Sequence, residues 1–428
     1  MQKPTFRTYV LGLLAILTSY IYLTANTTVP QNVIIKEAPT LDTHLEEIRA
    51  LNYLNELRIG AGLIPLSHNP KLKEAANNHA NYLIYNNKIG HYEEEHLKGY
   101  TGRYGSERSV YVGYKTPMII ENISNNNLSY KESIDGLMAA IYHRFAFLDF
   151  HIDEIGISIQ QHATQKDQTA FVYDMGSKSL AELCETTTET KKAHADNTLD
   201  NICADRFKSI TKEGFYNAIH AHKYQNSYVV TYPYDQQKDI PPAFYEELPD
   251  PLPNHSVSGF PISISFNESR IKNIKMLSFK LYDEQKNEVA DTLLYDYKSD
   301  PNQQLKKFEF ALFPLKRLDW DSRYYAKAVY EQDGKLTRKV WEFKTRSFKA
   351  PLYTVKDKAS RYQIKQGEAA IFYFPPDTQR DVLGDLKYPA SFDISFIDKN
   401  TIKLIANQKF EGSVYLLLGK HRLNLEME

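Results

Sequence analysis

The sequence predicts an α+β domain near the amino terminus, followed by two β-rich regions. Three observations lead to this fold class. Apolar residues recur at helical spacing between about residues 43 and 141, and from Gly259 onward they alternate with polar residues instead. A proline-rich stretch, 233–253, separates the two patterns. With 428 residues, the chain is long enough to form two or three independent cores.

The amino terminus has the features of an export signal. Lys3 and Arg7 precede an apolar run from Tyr9 to Leu23, which is the layout of a secretory signal with a positive n-region. We predict a signal peptide over 1–25, or a signal anchor if it is not cleaved, and a polar spacer over 26–42. The protein is then exported to the periplasm, the cell envelope or the extracellular space. It contacts a membrane only through the N-terminal segment, if that segment is retained.

The net charge limits the classes of binding partner, and the two cysteines indicate the compartment. The formal net charge is only -1, which argues against a nucleic-acid partner and against a polybasic membrane-surface protein. The two cysteines, Cys184 and Cys203, are expected to form a disulfide in an oxidising compartment. A catalytic thiol is the competing interpretation, but neither cysteine lies in a supporting motif.

Two helices are predicted at the start of the first domain. A T-x-x-E capping box at Thr43 and Glu46 opens the first helix, and the glycines at 60–62 end it. The second helix begins at Asn69-Pro70, an N-cap followed by proline at the first helical position. It continues to a glycine stop at Gly90.

A third helix and two strands complete the predicted domain. An S-x-x-E capping box at Ser129 opens the helix, which carries His143 near its end. Two alternating segments, 155–159 and 170–173, are typical of half-buried strands. Helices that flank a short sheet form an α+β sandwich, and we place it at residues 43–178.

The remainder of the chain is predicted to be a linker and two β-rich domains. Residues 179–255 form the linker, which contains the predicted disulfide. Segments of period two and a hairpin turn at Asp333-Gly334 favour an immunoglobulin-like β-sandwich over 256–347. Residues 348–428 form a small β-rich domain that contains no interpretable motif.

Three short motifs in the first domain resemble a known family. They are Lys88-Ile89-Gly90-His91, Ile119-Ile120-Glu121-Asn122-Ile123 and Ile141-Tyr142-His143-Arg144. Together with the second helix, they resemble the CAP superfamily, also called the SCP domain, of cysteine-rich secretory, venom-antigen and pathogenesis-related proteins. The resemblance covers about residues 43–178 and implies a CAP-type α-β-α sandwich of the bacterial multidomain branch.

The resemblance also implies a binding cleft. In CAP proteins, two histidines and one or two glutamates line a cleft that can hold a divalent metal, commonly zinc. By this resemblance, His91, Glu121 and His143 are the candidate ligand-binding residues and also the candidate metal ligands. Ala140 stands where animal members of the family have a second glutamate, so the set of four is incomplete. The cleft is therefore either a site for zinc or another divalent metal, or a polar cleft for folding or for an organic ligand.

The function that follows is binding rather than catalysis. We expect an exported, non-enzymatic CAP-domain protein that binds a small hydrophobic ligand or an envelope component, and we assign no catalytic residue. One alternative is a metal-dependent hydrolase in which Glu121 acts as general base. The other is a purely structural envelope protein. No serine-hydrolase elbow, P-loop or dinucleotide motif is present in the sequence.

Other histidines have simpler explanations. His79 lies on the apolar side of the second helix and is expected to be a hydrogen-bonded core residue. Glu93–Glu95, before His96, are interpreted as an acidic, solvated loop, since the spacing does not match a zincin motif. His220 and His222 lie near a predicted helix end, where we expect no metal site.

Overall fold

The structure, a computed structural model, describes residues 38–190, 197–357, 359–378, 381–383, 386–388 and 391–428. The described residues divide into two compact units, one ending at Ser347 and the other beginning at Phe348. The predicted signal segment 1–25 lies outside the described residues. Within the described residues, no helix combines the length and the apolar character that a bilayer crossing requires.

The first unit begins with an α+β domain, as the sequence predicts. Its elements are α1 Thr43–Ala61, β1 Ser67–His68, α2 Pro70–Asn86, α3 Gly105–Tyr111, β2 Ile120–Asn125, α4 Tyr130–Ala139, α5 Ile141–Phe147, β3 Glu154–Gln161 and β4 Thr169–Gly176. The strands form one sheet in the order β1-β3-β4-β2. Strand β1 runs parallel to β3, and the other pairs are antiparallel.

Helices cover both faces of this sheet, which explains why β3 and β4 are buried along most of their length. On β4, Phe171 and Tyr173 pack in one cluster with Leu54 of α1. Val172 points to the opposite face and packs in a second cluster with Ala76 of α2. Alternate residues of one strand therefore enter two different cores, which gives three layers, α-β-α.

A glycine sets the distance between α2 and the sheet. A Cβ atom built on Gly156 of β3 would lie 2.0 Å from the carbonyl carbon of Leu72 and 2.0 Å from the backbone nitrogen of Lys73. The helix backbone thus touches the strand directly, and this approach leaves no room for a side chain.

The helix ends agree with the sequence in part. Asn69 caps α2 and Pro70 is its first residue, as predicted. Helix α1 does not use the expected capping box: Asp42 is the N-cap, and Glu46 instead accepts a hydrogen bond from the Tyr130 backbone. Helix α2 ends at Asn86 rather than near Gly90, because a left-handed Asn87 already provides the C-cap.

The helix predicted to carry His143 consists of two helices. Ser129 caps α4 as expected, but Ala140 adopts an extended conformation and separates α4 from α5. His143 therefore lies in the first turn of a new helix. The backbone donors at the start of that helix need acceptors from elsewhere in the chain.

A disulfide-linked segment follows the first domain. Its elements are α6 Lys178–Thr186, β5 Thr198–Asp200, β6 Ser209–Thr211 and α7 Lys212–Ile219. The Sγ atoms of Cys184 and Cys203 are 2.04 Å apart, so the predicted disulfide is present. Both cysteines are buried with Leu180 and Ile210 in a small core of their own.

A β-sandwich completes the first unit. Its strands are β7 Val229–Tyr232, β8 Gln237–Ile240, β9 Ala243–Phe244, β10 Ser258–Gly259, β11 Ile262–Phe266, β12 Ile274–Tyr282, β13 Thr292–Tyr295, β14 Glu309–Pro314, β15 Arg323–Gln332 and β16 Lys335–Thr345. The two main sheets have the orders β13-β14-β11-β7 and β12-β15-β16-β8. Strands β7 and β8 lie in the segment that is predicted to be a linker. The sequence does not indicate that they belong to the sandwich, because the strands they pair with, β11 and β16, lie far away in the sequence.

The α+β domain and the sandwich share one hydrophobic core. The cluster that contains Leu54 of α1 also contains Ile264 and Trp341 of the sandwich. Arg144 of α5 is fully buried at this junction, where its Nη1 atom donates to the Pro261 carbonyl at 2.6 Å. The two parts of the first unit are therefore packed together, rather than joined only by a connector.

The second unit, from Phe348 onward, is built from strands. They are β17 Leu352–Thr354, β18 Arg361–Ile364, β19 Ala369–Tyr373, β20 Leu386–Lys387, β21 Phe392–Asp398, β22 Thr401–Ala406, β23 Ser413–Leu418 and β24 His421–Met427. Two sheets, β17-β19-β22-β21 and β18-β24-β23-β20, enclose an apolar core that includes Phe372, Leu404 and Leu423.

Candidate functional site

The three predicted cleft residues come from three elements of the α+β domain. His91 follows α2, Glu121 lies on β2, and His143 lies on α5. The Nδ1 atom of His91 is 2.9 Å from Oε1 of Glu121. The imidazole rings of His91 and His143 are stacked, with 6.4 Å between their centroids and 17° between their planes. The fold therefore places all three residues in one cleft.

Glu121 forms the buried floor of this cleft. Its side chain is 7% exposed, whereas that of His91 is 42% exposed. The Oε2 atom of Glu121 accepts a hydrogen bond of 2.5 Å from Nη2 of the fully buried Arg108. Burial alone would raise the pKa of Glu121, but the hydrogen bond from His91 and the charge of Arg108 lower it to about 2. Glu121 is thus a carboxylate at neutral pH, and both of its oxygens are occupied.

A buried pair, His79 and Glu93, lies beside Arg108, whose Nε atom is 3.8 Å from Oε1 of Glu93. His79 is fully buried and its Nδ1 atom lies 2.8 Å from Oε1 of Glu93, which confirms the interpretation of His79 as a core residue. The interpretation of Glu93 as solvated was wrong: its residue is 2% exposed, and its Oε2 accepts from the Thr101 backbone. The loop after α2 folds back over the helix, so this glutamate becomes an internal partner for His79.

Asp174 adds a second acidic group beneath the cleft. It pairs with Glu121 across strands β4 and β2 and is fully buried. Burial raises the pKa of Asp174 well above its usual range, and the negative charge of Glu121 raises it further. The site therefore contains one ionised carboxylate, Glu121, and one buried carboxyl group, Asp174, whose pKa is raised.

His143 has a partner that sequence reasoning missed. Its Nδ1 atom lies 3.0 Å from Oε2 of Glu247, a residue from the stretch between β9 and β10. The Oε1 atom of Glu247 accepts a 2.6 Å hydrogen bond from the backbone of Ile141, and Oε2 accepts one of 3.2 Å from Tyr142. The Glu247 carboxylate thus caps helix α5 and also orients the His143 ring. Its sequence surroundings, Glu246-Glu247-Leu248-Pro249, contain no signal that could have identified this role.

The two imidazoles have the same chemical arrangement. Each turns Nδ1 toward a carboxylate, Glu121 for His91 and Glu247 for His143. A carboxylate is an acceptor, so in the neutral imidazole each Nδ1 atom carries the hydrogen and each Nε2 atom keeps its lone pair. A carboxylate behind an imidazole is also the usual support of a metal-binding histidine. Imidazole nitrogens are donors that a divalent ion accepts, and in this arrangement each carboxylate supports one of the rings from behind.

A more closely spaced His/His/Glu cluster lies elsewhere in the first unit. His151, His220 and Glu268 each place one ligand atom within 4.8 Å of the other two. Within the described residues, His91, Glu121 and His143 do not form a group that close. The tighter cluster is not the one that the sequence indicated, and it includes His220, where we expected no metal.

Comparison with known proteins identifies the first domain. Residues 51–175 match the model of the cysteine-rich secretory protein family, CAP. The α+β domain is therefore a CAP domain, and the resemblance seen in its motifs is confirmed. The comparison with curated proteins found no match.

Three solved structures are similar to part of the chain. An outer surface protein of Borrelia burgdorferi is 19% identical and has a TM-score of 0.28, with 32% of this chain and 97% of that chain covered. An extracellular SCP-domain protein of Bacillus anthracis is 14% identical, with a TM-score of 0.28 and coverage of 34% and 46%. A cysteine-rich secretory protein of Staphylococcus aureus is 19% identical, with a TM-score of 0.24 and coverage of 32% and 41%. This chain thus spans less than half of the latter two proteins.

Proposed function

We propose that this chain is an exported CAP-domain protein whose cleft binds a ligand or an envelope component without chemical turnover. The observation that carries the proposal is the stacked pair of His91 and His143, each held by its own carboxylate. Two imidazoles that are oriented in this way and partly open to solvent form a recognition surface rather than a packing contact. The export part of the proposal is supported by the N-terminal segment 1–25.

The first candidate for a metal in this cleft is zinc, which the Nε2 atoms of His91 and His143 would hold. Such an ion would bind an oxygen or nitrogen donor of the ligand at its open positions. Glu121 and Glu247 would keep both rings in the tautomer that leaves Nε2 free. Arg108 would hold Glu121 in place, since its guanidinium binds the oxygen that does not face His91.

The hydrolase alternative has less support. A general base works best when its pKa is close to the operating pH. The pKa of Glu121 is about 2, because the hydrogen bond from His91 and the charge of Arg108 outweigh the effect of burial. A carboxylate of this kind is too weakly basic to activate water efficiently. We therefore assign Glu121 a positioning role.

The space beside the cleft indicates what kind of ligand fits. A cavity of about 210 Å³ is lined by Ile120 and Tyr142, the chain neighbours of Glu121 and His143, and also by Phe145 and Leu305. Enclosed sites for drug-sized ligands usually measure about 300–1,000 Å³. A drug-sized hydrophobic ligand would therefore be only partly enclosed there, and the charged residues Asp149, Lys306 and Glu309 also line the cavity. An envelope component that docks on the surface is thus the better candidate.

The test compares the full chain with a His91→Ala/His143→Ala double variant and with a His96→Ala control. His96 follows His91 closely, and its side chain is 76% exposed. Metal content after dialysis against zinc, thermal melting with and without zinc, and binding to isolated envelope fractions are measured on all three proteins. We expect the double variant alone to lose envelope binding and the zinc bound at the cleft. Equal envelope binding by all three proteins would refute the proposal and favour a purely structural protein.

A further inference from the structure

We propose that His151, His220 and Glu268 form a second divalent-metal site, of the zinc class, that fastens three segments of the first unit together. Their ligand atoms lie within 4.8 Å of one another. Two imidazole nitrogens and one carboxylate oxygen are a ligand set that zinc accepts, with a fourth position left for water. The site is separate from the cleft and does not depend on the proposed function.

The distances are close to what a tetrahedral ion requires. Bonds of about 2.0–2.1 Å to zinc place neighbouring ligand atoms roughly 3.3 Å apart. The Nε2 atom of His151 already lies 3.4 Å from Oε1 of Glu268. The rings of His151 and His220 are 5.0 Å apart between centroids, with 56° between their planes. Small side-chain movements would therefore complete the coordination.

The orientation of His151 is fixed in the way that metal-binding histidines require. Its Nδ1 atom lies 2.9 Å from Oδ1 of Asp149. The same oxygen accepts a hydrogen bond of 2.7 Å from the backbone nitrogen of His151. The other oxygen of Asp149 accepts a 2.5 Å hydrogen bond from Nζ of Lys306. Asp149 is thereby held from two sides and directs Nε2 of His151 toward Glu268.

The Nε2 atom of His151 is the second observation that points to a ligand. This atom is buried, and its 3.4 Å contact with Oε1 of Glu268 does not reach hydrogen-bond geometry. A buried polar nitrogen that is only poorly satisfied is costly. A metal ion bound by Nε2, His220 and Glu268 would satisfy it.

The position in the fold gives the site its role. His151 lies between α5 and β3 of the CAP domain, His220 is the C-cap of α7, and Glu268 follows β11 of the sandwich. An ion held by all three would cross-link the CAP domain, the disulfide-linked segment and the sandwich. Because metal bound only to the folded state stabilises that state by mass action, we infer that this site stabilises the arrangement of the first unit.

The experiment uses the full chain, stripped of metal with a chelator and then dialysed against zinc or cobalt(II). Five proteins are compared with wild type: His91→Ala/His143→Ala, which removes the cleft histidines; the same double variant with His220→Ala added; His220→Ala; Glu268→Gln; and a His222→Ala control. His220 is partly exposed and the Glu268 side chain is 44% exposed, so their substitution should leave the fold intact. His222 binds Asp153 through Nε2 at 2.8 Å and lies outside the cluster.

We expect the cleft double variant and His222→Ala to retain one tightly bound equivalent of metal at this site and a zinc-dependent rise in melting temperature. In His220→Ala and in Glu268→Gln, the affinity of this site for metal should fall at least ten-fold. Most of the zinc-dependent rise in melting temperature should be lost with it. The visible spectrum of bound cobalt(II) in the cleft double variant should show tetrahedral coordination, and it should disappear when His220→Ala is added.

Two results would overturn the inference. One is a cleft double variant that retains no metal, which would mean that His151 and Glu268 are joined only by a proton on Nε2 of His151. The other is equal metal binding by His220→Ala, Glu268→Gln and His222→Ala. Failure of the cleft proposal would look different, because wild type and the cleft double variant would then bind the same amount of metal and envelope.

Discussion

Replacing Glu247 by alanine removes an acceptor that the first turn of α5 and His143 share. The backbone of Ile141 donates to this carboxylate at 2.6 Å, that of Tyr142 at 3.2 Å, and Nδ1 of His143 lies 3.0 Å away. The Glu247 side chain is 1% exposed, so little water reaches it to replace these contacts. In Glu247→Ala the same donors remain at a buried helix start without their acceptor.

The expected loss of stability follows from these contacts. A hydrogen bond to a charged group contributes roughly 1.5–3 kcal/mol to the free energy of unfolding. The contributions of three bonds to one carboxylate do not simply add. Removing one partner of a buried pair usually costs about 3–5 kcal/mol, and we expect a loss in this range for Glu247→Ala. Glu247→Gln keeps the shape and an accepting oxygen, so its loss should be smaller. Zinc affinity at the cleft should fall roughly 10- to 100-fold in both variants, because the carboxylate behind His143 is gone.

Urea denaturation measures the free energy of unfolding. The two tryptophans of the chain, Trp320 and Trp341, both lie in the sandwich and report the unfolding of the first unit by fluorescence. Glu284→Ala, at an exposed position in the sandwich, is the control and should stay within about 0.5 kcal/mol of wild type. If Glu247→Ala loses less than about 1 kcal/mol, the assignment of Glu247 as a shared anchor is refuted.

Three further predictions concern stability. Replacing Cys184 and Cys203 by serine should reduce the free energy of unfolding by about 3 kcal/mol on the chain-entropy model, since the cysteines are separated by 19 positions; unfolding that is equal with and without a reductant would contradict this. Burial raises the pKa of Glu309 from 4.5 to about 7, so its contribution to stability is present at low pH and lost as the pH rises through 7. Glu309→Gln should therefore gain up to about 3 kcal/mol over wild type as the pH rises from about 4.5 to about 7, measured by urea denaturation; a constant difference across this range would refute the shift. Gly156→Ala should lose more than the roughly 1–3 kcal/mol typical of overpacking, because the new methyl group would meet the backbone of Leu72; wild-type melting would contradict this.

The sequence predicts those parts of the fold that depend on local patterns. Asn69 and Pro70 start a helix because capping chemistry acts over a few residues. Strands β3 and β4 follow from their apolar residues. The division of the third helix at Ala140 was missed, because alanine is a good helix former. The bend there is stabilised by Glu247, which lies 106 positions from Ile141.

The candidate site shows the same limit. His91, Glu121 and His143 were found because each lies in a motif that resembles the CAP family. Glu247 lies outside those motifs, and only the packing of the linker against α5 brings it to His143. The cluster of His151, His220 and Glu268 is likewise spread over three segments, so no spacing in the sequence could reveal it.

Two consecutive residues explain why the CAP domain and the sandwich act as one unit. His143 depends on Glu247 for its orientation. Arg144 turns the other way: Nε donates to the Met138 carbonyl at 2.6 Å, and Nη1 donates to Pro261, at the start of β11. Because the cleft histidine and the interdomain arginine are adjacent on the seven-residue helix α5, a displacement of the sandwich must also move His143. Residues beyond the 51–175 segment that matches the family model therefore help to set the geometry of the cleft.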